Sequence, residues 1–130
     1  MLTYLVSDLV ERYQPMALYL FGSRAKGRHR EGSDFDLGIL CDSPLDQAPL
    51  FSVQLDLQAR FDCDLDLVDM AAADPVLQME VLSVRHVLYC RDNEARLLAE
   101  ARMMKAYQML HFSIQGVLRR KYGEKQWMSS

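Results

Sequence analysis

The chain has 130 residues, half of them hydrophobic and a quarter charged, which is the composition of one ordinary globular domain. Its net charge of −3 argues against a general nucleic-acid-binding protein, and no apolar run approaches the ~20 residues that span a bilayer. The N-terminal residues lack a basic leader and a cleavage site, and the three cysteines lack metal-ligand spacing. We therefore expect mostly buried, reduced thiols in a cytoplasmic protein.

Hydrophobic periodicity predicts alternating helices and strands along the chain. The predicted elements are a helix at 2–13, strands at 16–21 and 34–41, a helix at 47–60, a strand at 63–70, a short helix at 75–83, a strand at 84–90 and a helix at 92–122. This order predicts an α/β fold, with a small mixed sheet covered by helices. We expect a single domain, residues 1–130, with a catalytic core of about 1–91 and a long C-terminal helix of about 92–122.

The last predicted helix is the unusual element. Thirty residues at 1.5 Å each give about 45 Å, which exceeds the width of a small domain. Apolar side chains occupy more than one of its faces, so one face can cover the sheet while another is available to a partner protein. The alternative is a helix that folds over its own core and carries scattered methionines on the surface.

The segment LFGSRAKGRHREGSDFDLGIL, residues 20–40, contains the residues that indicate chemistry. Asp34 and Asp36 lie two positions apart in a predicted strand, so both carboxylates point to the same side and would favour a bound divalent cation. Gly22 and Ser23 follow the preceding predicted strand, where a glycine permits close approach of a ligand and a hydroxyl can hold a phosphate oxygen. Together these features predict nucleotidyl or phosphoryl transfer.

With ten residues between Gly22-Ser23 and Asp34-x-Asp36, the sequence resembles the nucleotidyltransferase superfamily that includes DNA polymerase beta. The wording GSRAKG…SDFDLGIL is similar to its minimal nucleotidyltransferase (MNT) domains. The resemblance implies a third metal-binding carboxylate on a later strand. Asp66, in the segment LDLVDM, is the preferred candidate, and Asp64 and Asp69 are the alternatives.

The resemblance also implies the ligands. Two Mg²⁺ ions would be held by the three aspartates, which are also the catalytic residues, and ATP would be the substrate. Ser23 and the amides near Gly22 would hold the phosphates. Arg24, Lys26 or Arg28 would add positive charge there, and the sequence does not choose among them.

Many MNT domains are antitoxins encoded beside a HEPN-domain ribonuclease toxin, and the resemblance implies that role here. The expected reaction is transfer of AMP from ATP to a tyrosine hydroxyl of a separate HEPN toxin chain, within a hetero-oligomer. One alternative is an antitoxin that acts mainly by non-covalent binding. Another is a small-molecule nucleotidyltransferase of the aminoglycoside-modifying type. We expect no direct contact with nucleic acid or membrane.

Overall fold

The computed structural model describes residues 1–22 and 35–123. Its helices are α1 (Leu2–Tyr13), α2 (Gln47–Phe61), α3 (Pro75–Val84) and α4 (Asn93–Tyr122); its strands are β1 (Ala17–Phe21), β2 (Phe35–Leu40), β3 (Leu65–Asp69) and β4 (His86–Cys90). Each predicted element is present, and at the ends that the structure describes the strands are one or two residues shorter than predicted or end where predicted. No helix within these residues is long and apolar enough to cross a membrane.

The four strands form one mixed sheet in the order β3-β2-β1-β4. Strand β1 pairs antiparallel with both β2 and β4, whereas β2 and β3 run parallel. The parallel pair requires a crossover, and α2 supplies it. The predicted α/β fold with a small mixed sheet and a long C-terminal helix is therefore confirmed.

Helices cover both faces of the sheet, because alternate residues of each strand point to opposite sides. On one face, α1 and α2 contribute Leu5, Leu9, Leu50 and Leu57 to a core with Leu18, Leu20, Leu37 and Ile39. On the other face, α3 and α4 contribute Val81, Leu82 and Met103 to a second core with Tyr19 and Leu40. A strand residue on the first face is therefore covered by α1 and α2. A strand residue on the second face is covered by α3 and α4.

Local signals fix the ends of the helices. Helix α1 ends at Gln14, which adopts a left-handed conformation just before Pro15. The Asp74 side chain accepts a hydrogen bond from the Leu77 amide at the start of α3, and Pro75 occupies the first helical position. At the start of α4, Asp92 caps two amides in the same way.

The cysteines differ in part from the expectation. Cys41, Cys63 and Cys90 are reduced thiols, as predicted, but each is only half-buried. All three lie at strand ends: Cys41 follows β2, Cys63 precedes β3 and Cys90 ends β4. Cys41 and Cys63 pack partly against the core under α1 and α2. Burial raises the pKa of the Cys41 thiol, so this thiol is protonated at neutral pH.

Candidate active site

Two predicted site carboxylates lie side by side on neighbouring strands. Asp36 of β2 is in register with Asp66 of β3, and parallel strands lie about 4.8 Å apart. Their sequence neighbours Phe35, Leu37, Leu65 and Leu67 all belong to the core under α1 and α2. Asp36 and Asp66 therefore both point to the opposite face, where Asp36 is half-buried and Asp66 is exposed.

Gly22 lies directly against one of these carboxylates. It follows the end of β1, and its neighbour Phe21 pairs with Asp36 across the antiparallel ladder. A Cβ atom placed on Gly22 would lie 2.1 Å from Oδ2 of Asp36, and the φ angle of Gly22 is +73°. Both the space and the backbone conformation therefore require glycine here. The structure thus brings Gly22, Asp36 and Asp66 together, as the sequence predicted.

The other predicted site residues cannot be placed in the same way. Ser23, Arg24, Lys26, Arg28 and Asp34 lie outside the described residues. Within residues 1–22 and 35–123, no three His, Cys, Asp or Glu side chains are grouped as a metal site. The role of Asp34 as a metal ligand therefore stays a prediction.

The alternatives to Asp66 occupy different positions. Asp64 is exposed and precedes β3, where its carbonyl oxygen accepts a hydrogen bond from the Phe35 amide. Asp69 is buried, and its two carboxylate oxygens accept hydrogen bonds from the amides of Leu45 and Ala71. The Asp69 carboxylate therefore holds the connections before α2 and after β3, which is a structural role. This placement favours Asp66 as the third site carboxylate.

The outer strand of the site is held by a side chain that the sequence analysis did not single out. Strand β3 is at the edge of the sheet, and its Leu67 amide donates a hydrogen bond to Oε1 of Gln54 in α2 at 2.9 Å. A glutamine on the middle of an amphipathic helix gives no distinctive sequence signal. Its contact fixes the edge strand one residue after Asp66.

A buried ionic network was also missed, and it joins α4 to the sheet. Glu100 is 2% exposed and accepts hydrogen bonds from the Tyr19 hydroxyl at 2.8 Å and from Nη1 of Arg96 at 2.7 Å. Nη2 of Arg85 lies 3.1 Å from the other carboxylate oxygen as an ion pair. Burial, and then the hydrogen bond to Glu100, raise the pKa of the Tyr19 phenol. The only sequence signal was the spacing of Arg96 and Glu100, one helical turn apart.

The chemistry of the described donor set fits a hard divalent cation. Asp36 and Asp66 supply carboxylate oxygens, which Mg²⁺ prefers, and two neighbouring carboxylates gain most from a shared cation. The glycine beside them lets the Asp36 carboxylate pack directly against the backbone at the end of β1. The residues present are thus compatible with the predicted metal site.

Comparison with known proteins identifies the family. The family model for polymerase beta nucleotidyltransferases matches residues 5–94, which include Gly22, Asp36 and Asp66. The chain belongs to the polymerase beta nucleotidyltransferase family. The resemblance stated from the motif is therefore confirmed.

Similar proteins within this family come from toxin–antitoxin systems. The chain is 29% identical over 114 residues to the protein adenylyltransferase MntA of Shewanella oneidensis, covering 88% of this chain and 80% of MntA. A crystal structure of a toxin–antitoxin with AMP-PNP has 26% identity and a TM-score of 0.77, covering 88% of this chain and 94% of its own. A complex of tri-AMPylated HEPN toxin with MNT antitoxin, also from S. oneidensis, matches in fold, with 24% identity, a TM-score of 0.73, and coverage of 90% and 92%.

Proposed function

We propose that this nucleotidyltransferase is an antitoxin that transfers AMP from ATP to a tyrosine hydroxyl of a cognate HEPN ribonuclease toxin. The observation that carries the proposal is the in-register pair of Asp36 and Asp66 beside Gly22. Two further findings support it. A relative is named a protein adenylyltransferase, and a similar toxin–antitoxin structure was solved with AMP-PNP, an analogue of ATP.

The reaction forms one bond and breaks one. The tyrosine oxygen bonds to the α-phosphorus of ATP, the bond from that phosphorus to the bridging oxygen of the β-phosphate breaks, and pyrophosphate leaves. The proton of the hydroxyl goes to Asp66 if this exposed carboxylate acts as the general base, or to solvent if Asp66 acts as a metal ligand. Mg²⁺, bound by Asp34, Asp36 and Asp66, would neutralise charge on the phosphates and lower the pKa of the attacking hydroxyl.

The residues around Gly22 would hold the nucleotide. The positive φ angle of Gly22 turns the chain at the end of β1, and the missing side chain leaves the space that the Asp36 carboxylate occupies. We assign Ser23 to a phosphate oxygen, and one or more of Arg24, Lys26 and Arg28 to the charge of the triphosphate. These assignments rest on the motif.

The decisive experiment measures transfer of label from [α-³²P]ATP, with Mg²⁺, to the product of the neighbouring gene, which we propose to be the HEPN toxin. We expect Asp36→Asn to abolish transfer and Asp66→Asn to reduce turnover more than it reduces ATP binding. Asp64→Asn is the matched control, because it removes an exposed carboxylate two residues away and should leave the rate within about 3-fold.

Two outcomes would contradict the proposal. Equal transfer by Asp36→Asn and the unchanged protein would refute the assignment of the site. A stable complex with no label on the toxin, with full neutralisation of the toxin by Asp36→Asn, would establish inhibition by binding alone.

A further inference from the structure

The C-terminal half of α4 extends beyond the body of the domain. Met104 is the last α4 residue that packs against either hydrophobic core of the described structure. The helix continues to Tyr122, and 18 further residues at 1.5 Å give an arm of about 27 Å. The face that Glu100 and Met103 bury against the sheet therefore continues into a segment that has no described sheet beneath it.

That face carries the spacing of a helix–helix contact. From Met103 the apolar positions recur at intervals of four and three, which is the a/d pattern of a heptad seam. The positions beyond the core are Tyr107, Leu110, Ile114 and Val117, which we call the distal seam. Ile114 and Val117 are each 51% exposed. An apolar seam of this length is suited to a second helix rather than to solvent.

The charge of the same segment limits which helix can bind there. Residues 101–122 contain five Lys or Arg residues and no Asp or Glu, whereas the rest of the chain has ten Lys or Arg against 18 Asp or Glu. The basic residues are Arg102, Lys105, Arg119, Arg120 and Lys121. The arm, residues 105–122, carries four of these five basic residues and no acidic residue, so it is a basic helix on an otherwise acidic protein.

A second copy of the same arm is a poor partner for this surface. Parallel pairing would place Arg119, Arg120 and Lys121 beside their own equivalents. Antiparallel pairing would bring them close to Arg102 and Lys105, which are also basic. Like charges that flank a seam oppose pairing in either orientation. A helix with an apolar stripe and flanking Asp or Glu residues satisfies both the seam and the charges.

We propose that the distal seam is the docking surface for an acidic amphipathic helix of the protein that receives AMP. This inference rests on the proposed function, since it takes the partner to be the substrate toxin. RNA is the competing occupant for a basic helix, but an RNA backbone gains nothing from half-exposed Ile114 and Val117. The anchoring of α4 through Glu100 to Tyr19 gives the docked helix a fixed position relative to β1, which ends at Gly22.

The test measures affinity for the proposed HEPN toxin, the product of the neighbouring gene, by isothermal titration calorimetry, in the Asp36→Asn background without ATP. In that background, Ile114→Glu should weaken binding by at least about 10-fold, because it buries a charge within the seam. Ser113→Glu adds the same charge at the next, exposed position and should change affinity by less than about 3-fold. Val117→Ser, which adds no charge, is the second seam variant and should also weaken binding, whether or not Ile114→Glu folds normally.

A separate measurement tests the role of the basic residues in binding. Replacing Arg119 and Arg120 by serine should weaken binding and reduce its dependence on salt concentration, because two charges that attract an acidic helix are lost. Sedimentation of the chain alone should give a monomer. A seam-dependent homodimer, or a labelled single-stranded RNA that competes with the toxin for the arm, would overturn the inference.

The two proposals can fail separately. Tight, seam-dependent binding without transfer of AMP by the protein with an intact site would refute the proposed function and leave the docking surface in place. Normal binding and normal transfer with Ile114→Glu would refute the docking surface and leave the function in place. No binding of the toxin by the unchanged protein would refute both.

Discussion

Replacing Gly22 by alanine tests whether the end of β1 forms part of the catalytic site. The added Cβ atom would lie 2.1 Å from Oδ2 and 2.9 Å from Cγ of Asp36. Ordinary van der Waals contact begins at 3.4 Å, so the carboxylate or the backbone must move by about 1.3 Å. The movement falls on the proposed metal ligand rather than on a flexible surface group.

The expected magnitudes separate stability from catalysis. An alanine forced to a φ angle near +73° costs about 1–2 kcal/mol of folding free energy. A domain whose total stability is about 5–15 kcal/mol therefore stays largely folded at room temperature after this loss. A displacement of about 1 Å at a reacting group lowers the rate by about 100-fold. We therefore expect Gly22→Ala to lose at least about 100-fold in AMP transfer while it remains folded.

The chain provides a matched control in Gly123, whose φ angle is +78° and whose added Cβ would meet nothing within 4 Å. Gly123→Ala shares the backbone strain, at the end of α4, but not the contact with Asp36. The assay is the initial rate of label transfer to the toxin, normalised to folded protein by circular dichroism. If Gly22→Ala transfers AMP within about 3-fold of Gly123→Ala, the reasoning about this site is wrong.

Three further predictions concern groups that stabilise the fold. Asp69→Asn should cost about 1–3 kcal/mol in urea unfolding, because one of two bound amides loses its acceptor, with unchanged transfer per folded molecule. Glu100→Gln should cost about 3–5 kcal/mol by leaving two arginines without a buried counter-charge, whereas the exposed control Glu94→Gln should cost less than about 1 kcal/mol. Tyr19→Phe should flatten the alkaline loss of stability: the raised pKa of folded Tyr19 gives stability that is present below the unfolded value of about 10 and lost as pH rises above it. An unchanged pH–stability profile from pH 9 to 11 in Tyr19→Phe would exclude that contribution.

The sequence was sufficient to predict the helices and strands and the face of β3 on which Asp66 lies. Amphipathic spacing placed α1 and α2, and strand alternation separated Asp66 from its buried neighbours Leu65 and Leu67. The same alternation put Asp69 on the other side, where the structure shows it bonded to amides. Period-two and period-3.6 patterns are local, so they survive without any knowledge of the tertiary fold.

The remainder depended on contacts between distant segments. The register that sets Asp36 beside Asp66 depends on a crossover through α2, and no local pattern fixes a parallel register. Likewise, Tyr19 and Glu100 are 81 residues apart, and each is unremarkable within its own element. The partial exposure of the cysteines at the strand ends is also a tertiary property.

A short series of contacts connects the proposed docking surface to the candidate active site. The Glu100 carboxylate accepts a hydrogen bond from the hydroxyl of Tyr19 in β1. Gly22 follows the end of β1 and lies against Asp36. Because β1 is a central strand paired on both sides, we expect it to be among the least mobile parts of the domain. A helix docked on the arm is thus positioned by the same strand, β1, that ends beside the carboxylates. Glu100→Gln should therefore impair transfer beyond its effect on stability, and a rate per folded molecule equal to that of Glu94→Gln would show that α4 does not position the acceptor.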